Sequence, residues 1–196
     1  MPEGMRFSKN GTNLKASQFI NKMASGDRLS RDFYIRDVLD VAPDILGKFL
    51  VIRSTDGTIN RYPVTEAEAY RGAEDRACHA FKGRTHRTEI MFHVGGHLYI
   101  YFIYGMYWMM NIVTGEENNP QALLIRGVGN FPGPGKLTKS LGIDKSFYGE
   151  DLVLSDRIWL EDSGIIADFK TGPRIGIDYA GDYWKNKPWR YNMIRI

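Results

Sequence analysis

The sequence contains a single cysteine, Cys78, so no disulfide can form within the chain. A lone thiol is typical of proteins from reducing compartments. The N-terminal segment also lacks the order of basic, apolar and small residues that marks a secretory signal. These absences predict a cytoplasmic protein and exclude the secreted class that depends on disulfides.

Neither sign of charge is in large excess. The 26 lysines and arginines oppose 23 aspartates and glutamates, which leaves a formal net charge of +3. Such a small excess permits nucleic-acid binding without arguing for it, because the placement of basic side chains matters more than their total. Repeats, low-complexity tracts and clear linkers are also absent, and 196 residues is a typical length for one domain. We predict a mobile arm at residues 1–28 and one domain at residues 29–196.

Charged side chains are missing altogether from residues 94–115, a stretch long enough to cross a bilayer. A membrane helix needs continuous apolar residues, whereas this stretch contains several glycines, four tyrosines and an asparagine, and is poor in leucine. We therefore predict two aromatic strands joined by a turn, and no membrane contact.

Alternation of polar and apolar residues predicts most of the strands. Asp56-Gly57 and Gly105 mark the turns of two hairpins. Pro63, inside a strand, indicates an edge position or a bulge. The predicted strands are residues 48–53, 59–70, 97–104, 107–113 and 121–128.

Helices are predicted at two places, which makes the domain α+β. Residues 38–46 have helical spacing that Pro43 interrupts and Gly47 closes. A second helix, residues 137–141, follows Gly133-Pro134-Gly135-Lys136. The final segment is irregular in pattern, and its expected core residues are Trp159, Ile175 and Ile177.

Residues two apart in a strand share a face, so Glu66, Glu68 and Tyr70 are expected to project together, with the small Ala67 and Ala69 on the other side. A solvated strand face is the simplest interpretation, because charged side chains are normally exposed. The functional interpretation is that one glutamate is a general base, since a positioned carboxylate can take a proton from water. Spacing alone leaves both interpretations open.

Four tyrosines, Tyr99, Tyr101, Tyr104 and Tyr107, are concentrated in the predicted hairpin around Gly105. Tyrosines in strands are usually structural. An aromatic side chain at a hairpin tip can also wedge between bases, and aromatic walls can stack a base that has been extruded from a duplex. Together with the nearby carboxylates, this pattern favours an enzyme that grips a flat ring and activates a water beside it.

The four histidines raise the question of a metal site, because they lie in one short span beside Cys78: His79, His86, His93 and His97. Gly95-Gly96, between the last two, favours a turn over a helix that would place both on one face. Neither a CxxC nor an HExxH pattern is present. We therefore expect no metal and no other cofactor.

Gly133-Pro134-Gly135-Lys136 is similar to a phosphate-binding loop but does not complete the pattern. Asn130 stands where the first glycine of that loop belongs, and Leu137 follows the lysine. A nucleotide triphosphatase is therefore not expected. The helix N-terminus with Lys136 could still bind one backbone phosphate of DNA.

Short motifs follow one another in a fixed order from about Leu29 to Tyr191, over nearly the whole domain. Each is weak alone, but the ordered series is specific and resembles the alkyladenine (3-methyladenine/methylpurine) DNA glycosylase family. The motifs are Glu68-Ala69-Tyr70, Glu74-Asp75, His79, Gly83-Arg84-Thr85, Arg87, Met91-Phe92, Gly96-His97-Leu98-Tyr99, Tyr104-Gly105-Met106, Asn111, Ala122-Leu123-Leu124-Ile125-Arg126, Gly133-Pro134-Gly135-Lys136-Leu137, Leu141-Gly142-Ile143 and Arg174-Ile175-Gly176-Ile177.

The resemblance implies a compact α+β fold around a curved, mostly antiparallel sheet with flanking helices. It implies a base-excision-repair enzyme that flips alkylated or deaminated purines out of DNA and hydrolyses the bond between base and deoxyribose, leaving an abasic site. The expected partner is double-stranded DNA that contains damaged purines. The protein is expected to be a monomer, and a bacterial member would be cytoplasmic and associated with the nucleoid through DNA.

The same resemblance implies roles for single residues. Glu68 resembles the base that activates water, Arg126 resembles a residue that helps to hold this water, and the Ile175 carbonyl is the expected third partner of the water. No lysine stands at a matched catalytic position, so hydrolysis without strand cleavage is expected. The implied base pocket and DNA contacts are Tyr70, His79, Tyr101, Asn111 and Ile175 around the base, Tyr104 intercalated in the duplex, and Arg84, Arg87 and Lys136 on the DNA backbone.

The chain departs from the family's pattern at four positions. Ala67 replaces a threonine beside the catalytic position, Cys78 replaces a smaller residue, and His86 and Thr88 replace the proline and asparagine around Arg87. None of these changes removes a catalytic group, although Cys78 and Thr88 bear on the range of substrates. Two alternatives stay open: a protein that binds lesions without cutting them, and a metal-dependent hydrolase that uses the histidines.

Overall fold

A nine-stranded antiparallel sheet forms the body of the computed structural model, which describes residues 26–195. Its strands are β1 (Phe49–Arg53), β2 (Ile59–Tyr70), β3 (Leu98–Ile103), β4 (Tyr107–Thr114), β5 (Gln121–Val128), β6 (Phe131–Pro132), β7 (Ile158–Glu161), β8 (Asp168–Gly172) and β9 (Arg190–Arg195). The order across the sheet is β3-β4-β5-β2-β1-β7, while β6 pairs with β5, and β9 pairs with both β2 and β8.

The long strand β2 changes partners along its length. Residues 59–63 pair with β1, whereas residues 64–70 pair with β5 and residues 66–68 also pair with β9. The register with β5 shifts between Val64 and Ala67. Such a bulge bends a strand and increases its twist, so the sheet curls here. Glu68 is thereby placed between Leu124 of β5 and Arg190 of β9.

Helices cover the sheet at a few places. The α-helices are α1 (Arg31–Tyr34), α2 (Val38–Asp44), α3 (Pro134–Leu141) and α4 (Asp182–Lys185). Single 3-10 turns lie at Gly72–Glu74, His79–Lys82, Glu89–Phe92, Lys145–Phe147 and Asp178–Ala180. Helix α2 is capped by the Asp37 carboxylate, which accepts a hydrogen bond from the Leu39 N–H at 2.9 Å.

The main core lies on the side of β2 that carries small residues. Ala67 and Ala69 are fully buried there, together with Leu123 and Ile125 of β5 and Val41 of α2. Alanine side chains let the covering helix approach the sheet closely. The opposite side of β2 is therefore left for polar side chains.

The predicted strands and the α+β class are confirmed, because all five alternating segments form β1 to β5. Pro63 lies opposite Phe49 in the part of β2 that pairs with β1 alone, next to a register shift, which agrees with the predicted edge position or bulge. The irregularity begins at the next residue, Val64, where β2 changes partners. Pro63 thus stands at the boundary between two pairings, where a missing N–H donor is tolerated.

The helices and the end of the chain differ in detail from the sequence predictions. Helix α3 begins at Pro134 rather than Leu137, because proline suits the first turn of a helix. The final segment forms β7, β8 and β9 instead of being irregular. Trp159 and Ile177 are buried as predicted, but Ile175 is 51% exposed and does not belong to the core.

The uncharged stretch at residues 94–115 contains strands β3 and β4 joined by a turn, as predicted. Within residues 26–195, every helix is too short or too polar to cross a bilayer. Residues 1–25 of the predicted arm lie outside the described residues. Asp27, near the end of the predicted arm, is hydrogen-bonded to the residue that follows β7: its carbonyl accepts the Asp162 N–H at 2.8 Å.

Candidate active site

A cavity of about 340 Å³ opens beside the β3–β4 hairpin. This volume lies within the roughly 300–1,000 Å³ of small-molecule pockets. Its wall is mostly aromatic and aliphatic, with few polar groups. Seven of the residues expected in the active site or in contact with DNA line it: Tyr70, His79, Tyr101, Tyr104, Asn111, Arg126 and Ile175.

Glu68 is fully buried directly behind this wall. One carboxylate oxygen accepts the Ile175 N–H at 2.8 Å, and the other accepts the Tyr70 hydroxyl at 3.0 Å. The Arg126 Nε lies 3.5 Å from the first oxygen. All three neighbours line the cavity, so the carboxylate is fixed at its edge by groups that would face a ligand. Ile175 meets Glu68 through its N–H, and the predicted contact between its carbonyl and a water stays a prediction.

Two features of its environment oppose the ionisation of Glu68, and three favour it. Burial and, as the smallest effect, the Glu66 charge raise the pKa of Glu68 above its ordinary value, while Arg126, the Ile175 N–H and the Tyr70 hydroxyl each pull the pKa down. A carboxylate with a raised pKa is a stronger base than a solvated one. The site therefore holds a basic carboxylate that accepts hydrogen bonds in its charged form.

Glu66 differs from Glu68 in what it contacts. Its carboxylate accepts a hydrogen bond from Arg126 Nε at 2.9 Å, and Arg190 lies 3.4 Å away. Glu66 thus fixes the Arg126 guanidinium, whereas Glu68 is held by groups of the cavity wall. The two carboxylates share a face of β2, as the alternation predicts, but they are not equivalent.

Tyr70 is the link between the carboxylate and the cavity. Burial first, and the Glu68 charge second, raise the pKa of Tyr70 well above its ordinary value. Its hydroxyl therefore stays protonated and donates to Glu68. The Arg174 guanidinium lies over the ring of Tyr70, 4.7 Å from the ring centroid.

A buried ion pair beneath Tyr70 was not predicted from the sequence. Arg174 donates to both carboxylate oxygens of Asp75 and to the Ala69 carbonyl, and both charged side chains are completely buried. Arg174 precedes Ile175, which holds Glu68, and Asp75 precedes the turn that carries His79. The pair thus ties together two segments of the site. Its only sequence signal was the presence of both residues among the family-like motifs.

His79 forms the opposite part of the wall with two tyrosines. Its Nδ1 lies 2.8 Å from the Tyr99 hydroxyl, and its ring packs edge-on against Tyr101 with centroids 4.6 Å apart. Burial, aided by the charges of Arg87 and Lys82, lowers the pKa of His79 to about 4. The imidazole is therefore neutral near pH 7 and can offer a hydrogen bond but not a positive charge.

Asn111 and Cys78 complete the buried wall. Asn111 donates to the Tyr99 carbonyl at 3.1 Å, which fixes its amide against β3. Burial raises the pKa of the Cys78 thiol to about 11, so the thiol stays protonated. Both residues line the cavity and limit its shape.

Tyr104 stands at the tip of the hairpin and is 82% exposed. The turn closes with a hydrogen bond from the Met106 N–H to the Ile103 carbonyl at 3.1 Å. Tyr104 and Gly105 have φ angles of 52° and 65°. Positive φ at both positions is the requirement of a type I′ turn, and it projects the Tyr104 ring away from the body of the protein.

The three basic residues expected on the DNA backbone have different surroundings. Arg84 is engaged by Glu89 at 3.0 Å and by Asn118. Arg87 lies over the Tyr101 ring, 5.2 Å from its centroid, so it supports the cavity wall that Tyr101 lines. Lys136 is exposed in the first turn of α3, beside Pro134 on the cavity wall, and forms no ion pair within residues 26–195.

The histidines do not converge. His93 and His97 pack together with ring centroids 5.6 Å apart, while His79 packs against Tyr101. In the part of the chain that the structure describes, no group of three or more histidine, cysteine, aspartate or glutamate side chains is arranged to hold a metal ion.

Comparison with known proteins gives consistent matches over most of the chain. The family model described as methylpurine-DNA glycosylase (MPG) matches residues 32–132 and 129–195. A protein from Psychrobacter cryohalolentis is 40% identical, over 92% of this chain and 95% of its own. Proteins from Wolbachia pipientis wMel and Methanocella arvoryzae are 43% and 39% identical, over 88% and 83% of this chain and 95% and 90% of theirs. All three carry the name "Putative 3-methyladenine DNA glycosylase".

Proposed function

Because the chain belongs to the methylpurine-DNA glycosylase family, we propose that it is a monofunctional glycosylase that extrudes alkylated or deaminated purines from duplex DNA and hydrolyses the bond between base and sugar. One observation carries the proposal: a buried carboxylate, Glu68, is held at the edge of an aromatic cavity by Tyr70, Arg126 and the Ile175 N–H.

The cavity supports capture of a flat, electron-poor ring. Tyr70, Tyr101 and His79 present aromatic surfaces to it, and such surfaces stack an extruded base. A cationic alkylpurine gains a further cation–π attraction of about 1–2 kcal/mol when it is desolvated. Extrusion costs a few kcal/mol, and less where a lesion weakens pairing, so selection begins before the base reaches the cavity.

The chemical step then needs one base and one leaving group. Glu68 takes a proton from water as the water oxygen bonds to C1′ of the deoxyribose, and the bond from C1′ to the purine nitrogen breaks with its electron pair on the base. Arg126, fixed by Glu66, keeps Glu68 ionised and orients the water. Positive charge that develops on the sugar is stabilised by the same carboxylate.

The leaving base sets how much help is needed. A cationic alkylpurine leaves as a neutral base and needs no acid. Hypoxanthine is neutral and needs a proton or a hydrogen bond, and His79, one of the polar residues of the wall, can offer the hydrogen bond. No lysine is present among the described residues that line the cavity, which supports hydrolysis without strand cleavage.

The test is an excision panel on duplex oligonucleotides that contain 3-methyladenine, 7-methylguanine, hypoxanthine or ethenoadenine. We expect release of free base and an alkali-labile abasic site from at least one duplex. Glu68→Gln should bind the same duplex with unchanged affinity and excise at least about 10²-fold more slowly, the usual contribution of a general base.

Glu161→Gln is the matched control, since Glu161 is also a buried glutamate paired with an arginine, Arg61 at 2.7 Å, but lies outside the cavity. This variant should excise at the wild-type rate. Binding of a lesion by the wild type without any released base would favour the lesion-binding alternative, and undiminished excision by Glu68→Gln would refute the assignment of the base.

A further inference from the structure

A second tyrosine lies at the rim of the cavity, apart from the hairpin. Tyr104 and Tyr179 both line the cavity although they are 82% and 69% exposed. A side chain that lines a cavity and is also largely exposed must lie at its mouth. Tyr104 has an expected role in the duplex, whereas no role follows for Tyr179 from the family-like motifs.

The ring of Tyr179 is held in place from both ends. Its backbone lies in the 3-10 turn Asp178–Ala180, which Ile177 and Ala180 anchor by packing, both buried, against Ala77. Its hydroxyl donates to the Ala77 carbonyl at 3.1 Å. Burial raises the pKa of this hydroxyl above its ordinary value, so the donor is retained at neutral pH. An aromatic ring on the surface is normally free to change rotamer, and this one has already lost that freedom.

The two anchors connect Tyr179 to both halves of the site. Ala77 precedes Cys78 and His79 on the base-pocket wall, and Tyr179 follows Ile175, whose N–H holds Glu68. The ring is therefore fixed relative to the carboxylate and to the base pocket at once. A preorganised group of this kind binds a ligand without a further entropic cost.

The part of an extruded nucleotide that lies at the mouth is its sugar, since the base fills the cavity and the phosphates stay with the backbone. Deoxyribose has apolar C–H faces, and a tyrosine whose hydroxyl is engaged offers an apolar ring. We propose that Tyr179 is a positioning residue that packs against the deoxyribose of the extruded nucleotide and holds C1′ between Glu68 and the base pocket. This inference rests on the proposed function.

The expected effect is a loss of extrusion and of excision rate without a loss of base recognition. Tyr179→Ala should lower the single-turnover excision rate about tenfold, the order expected for one aromatic contact to a nucleotide. Tyr179→Phe keeps the ring but loses the bond to Ala77, so its rate should fall between those of Tyr179→Ala and the wild type. Inhibition by free 3-methyladenine, which has no sugar, should be unchanged in both variants.

Tyr183→Ala is the matched control. Tyr183 is 67% exposed on the neighbouring helix α4, and it lies outside the cavity. Extrusion is measured separately by ethenoadenine fluorescence in the Glu68→Gln background, where no chemistry is required. We expect Tyr179→Ala to reduce the extruded fraction and Tyr183→Ala to leave it unchanged.

The possible failures are distinguishable. An active wild type with an equally active Tyr179→Ala variant overturns this inference and leaves the proposed function intact. A loss of inhibition by free 3-methyladenine in Tyr179→Ala also overturns it, because Tyr179 would then contact the base. A wild-type chain that neither extrudes nor excises any lesion overturns the proposed function as well.

Discussion

At the scale of single residues, the site depends on an acid–base balance between neighbours. Glu68 is buried, which favours its neutral form, yet the Arg126 charge and two hydrogen-bond donors favour the carboxylate. His79 is buried beside two positive side chains, which keeps it neutral. Glu68 is thereby a stronger base than an ordinary carboxylate, and His79 is a weaker base than an ordinary imidazole. Environments that push two titratable groups apart in this way are typical of catalytic sites.

The pH dependence of excision should therefore report Glu68 and not His79. A general base must be ionised, so excision of 3-methyladenine, whose charge is fixed in DNA, should fall as the pH drops through the pKa of Glu68. Because burial raises this pKa, the acidic limb should lie above that of an ordinary carboxylic acid. Single-turnover rates between pH 4.5 and pH 8 measure the limb.

His79→Asn provides the control for this assignment. The pKa of His79 is lowered to about 4, so the imidazole is already neutral across the range of the limb. The substitution should reduce the rate, most for hypoxanthine, and leave the position of the limb unchanged. A limb that disappears in His79→Asn would assign the titration to the histidine instead.

At the scale of elements, one part of the site follows from a single strand, and the rest depends on contacts between segments that are distant in the sequence. Strand β2 places Glu66, Glu68 and Tyr70 by simple alternation, which the sequence predicts. The ion pair between Asp75 and Arg174 joins residues 99 positions apart, and the contact between Glu66 and Arg126 joins residues 60 positions apart. Such contacts depend on how the sheet curls at the bulge in β2, and spacing along the chain contains no information about that.

The limited information in sequence spacing also explains which elements the sequence did not predict. Strands β1 to β5 alternate in polarity because one face is buried. Strand β8 (Asp168–Gly172) is mostly exposed and pairs only with β9, so it has no apolar face to reveal it. Tyr179 was missed for a related reason: its position at the cavity mouth depends on a 3-10 turn and one bond to Ala77.

A substitution at the hairpin tip should stabilise the fold and weaken function. Tyr104 has a φ of 52°, a left-handed conformation that costs a non-glycine residue about 1 kcal/mol and that asparagine tolerates better. Tyr104→Asn should therefore raise the free energy of unfolding by up to about 1 kcal/mol, measured in urea. It should also weaken capture of an extruded base, because the ring expected to fill the vacated place in the duplex is lost.

The role of the Tyr104 ring is tested by comparing binding to damaged and undamaged duplexes of one sequence. Tyr104→Asn should lose affinity for the damaged duplex and keep its affinity for the undamaged one. An equal loss for both would make Tyr104 a general DNA contact. A destabilised Tyr104→Asn would show that the ring packs in the fold.

The Asp75–Arg174 pair should be required for folding stability. Removing one partner of a buried pair leaves an uncompensated charge and typically costs about 3–5 kcal/mol. Asp75→Asn should lower the free energy of unfolding by an amount of this order, since Arg174 is completely buried. Glu89→Gln breaks a half-exposed pair with Arg84 and should cost less than about 0.5 kcal/mol. A cost below about 1 kcal/mol for Asp75→Asn would mean that Arg174 is adequately satisfied by the Ala69 carbonyl and the Tyr70 ring.

At the scale of the whole molecule, the small net charge of +3 makes the location of each basic group decisive. Arg84 and Arg87 are engaged by other side chains of the protein. Lys136 is exposed in the first turn of α3, where the N-terminal backbone N–H groups also favour an anion. Pro134 of the same turn lines the cavity, so a phosphate bound there would lie next to an extruded nucleotide.

Lys136 should therefore contribute to DNA binding through its position, although the net charge of the protein is small. Lys136→Ala should weaken binding to damaged and undamaged duplexes alike, and lower the slope of log affinity against log salt by about 1, as expected for one lost phosphate contact. Lys139→Ala is the matched control, since Lys139 is an exposed lysine on the last turn of the same helix. Fluorescence anisotropy over a range of salt concentrations measures both. If the two substitutions lower the slope equally, the helix acts through its overall charge and Lys136 holds no particular phosphate.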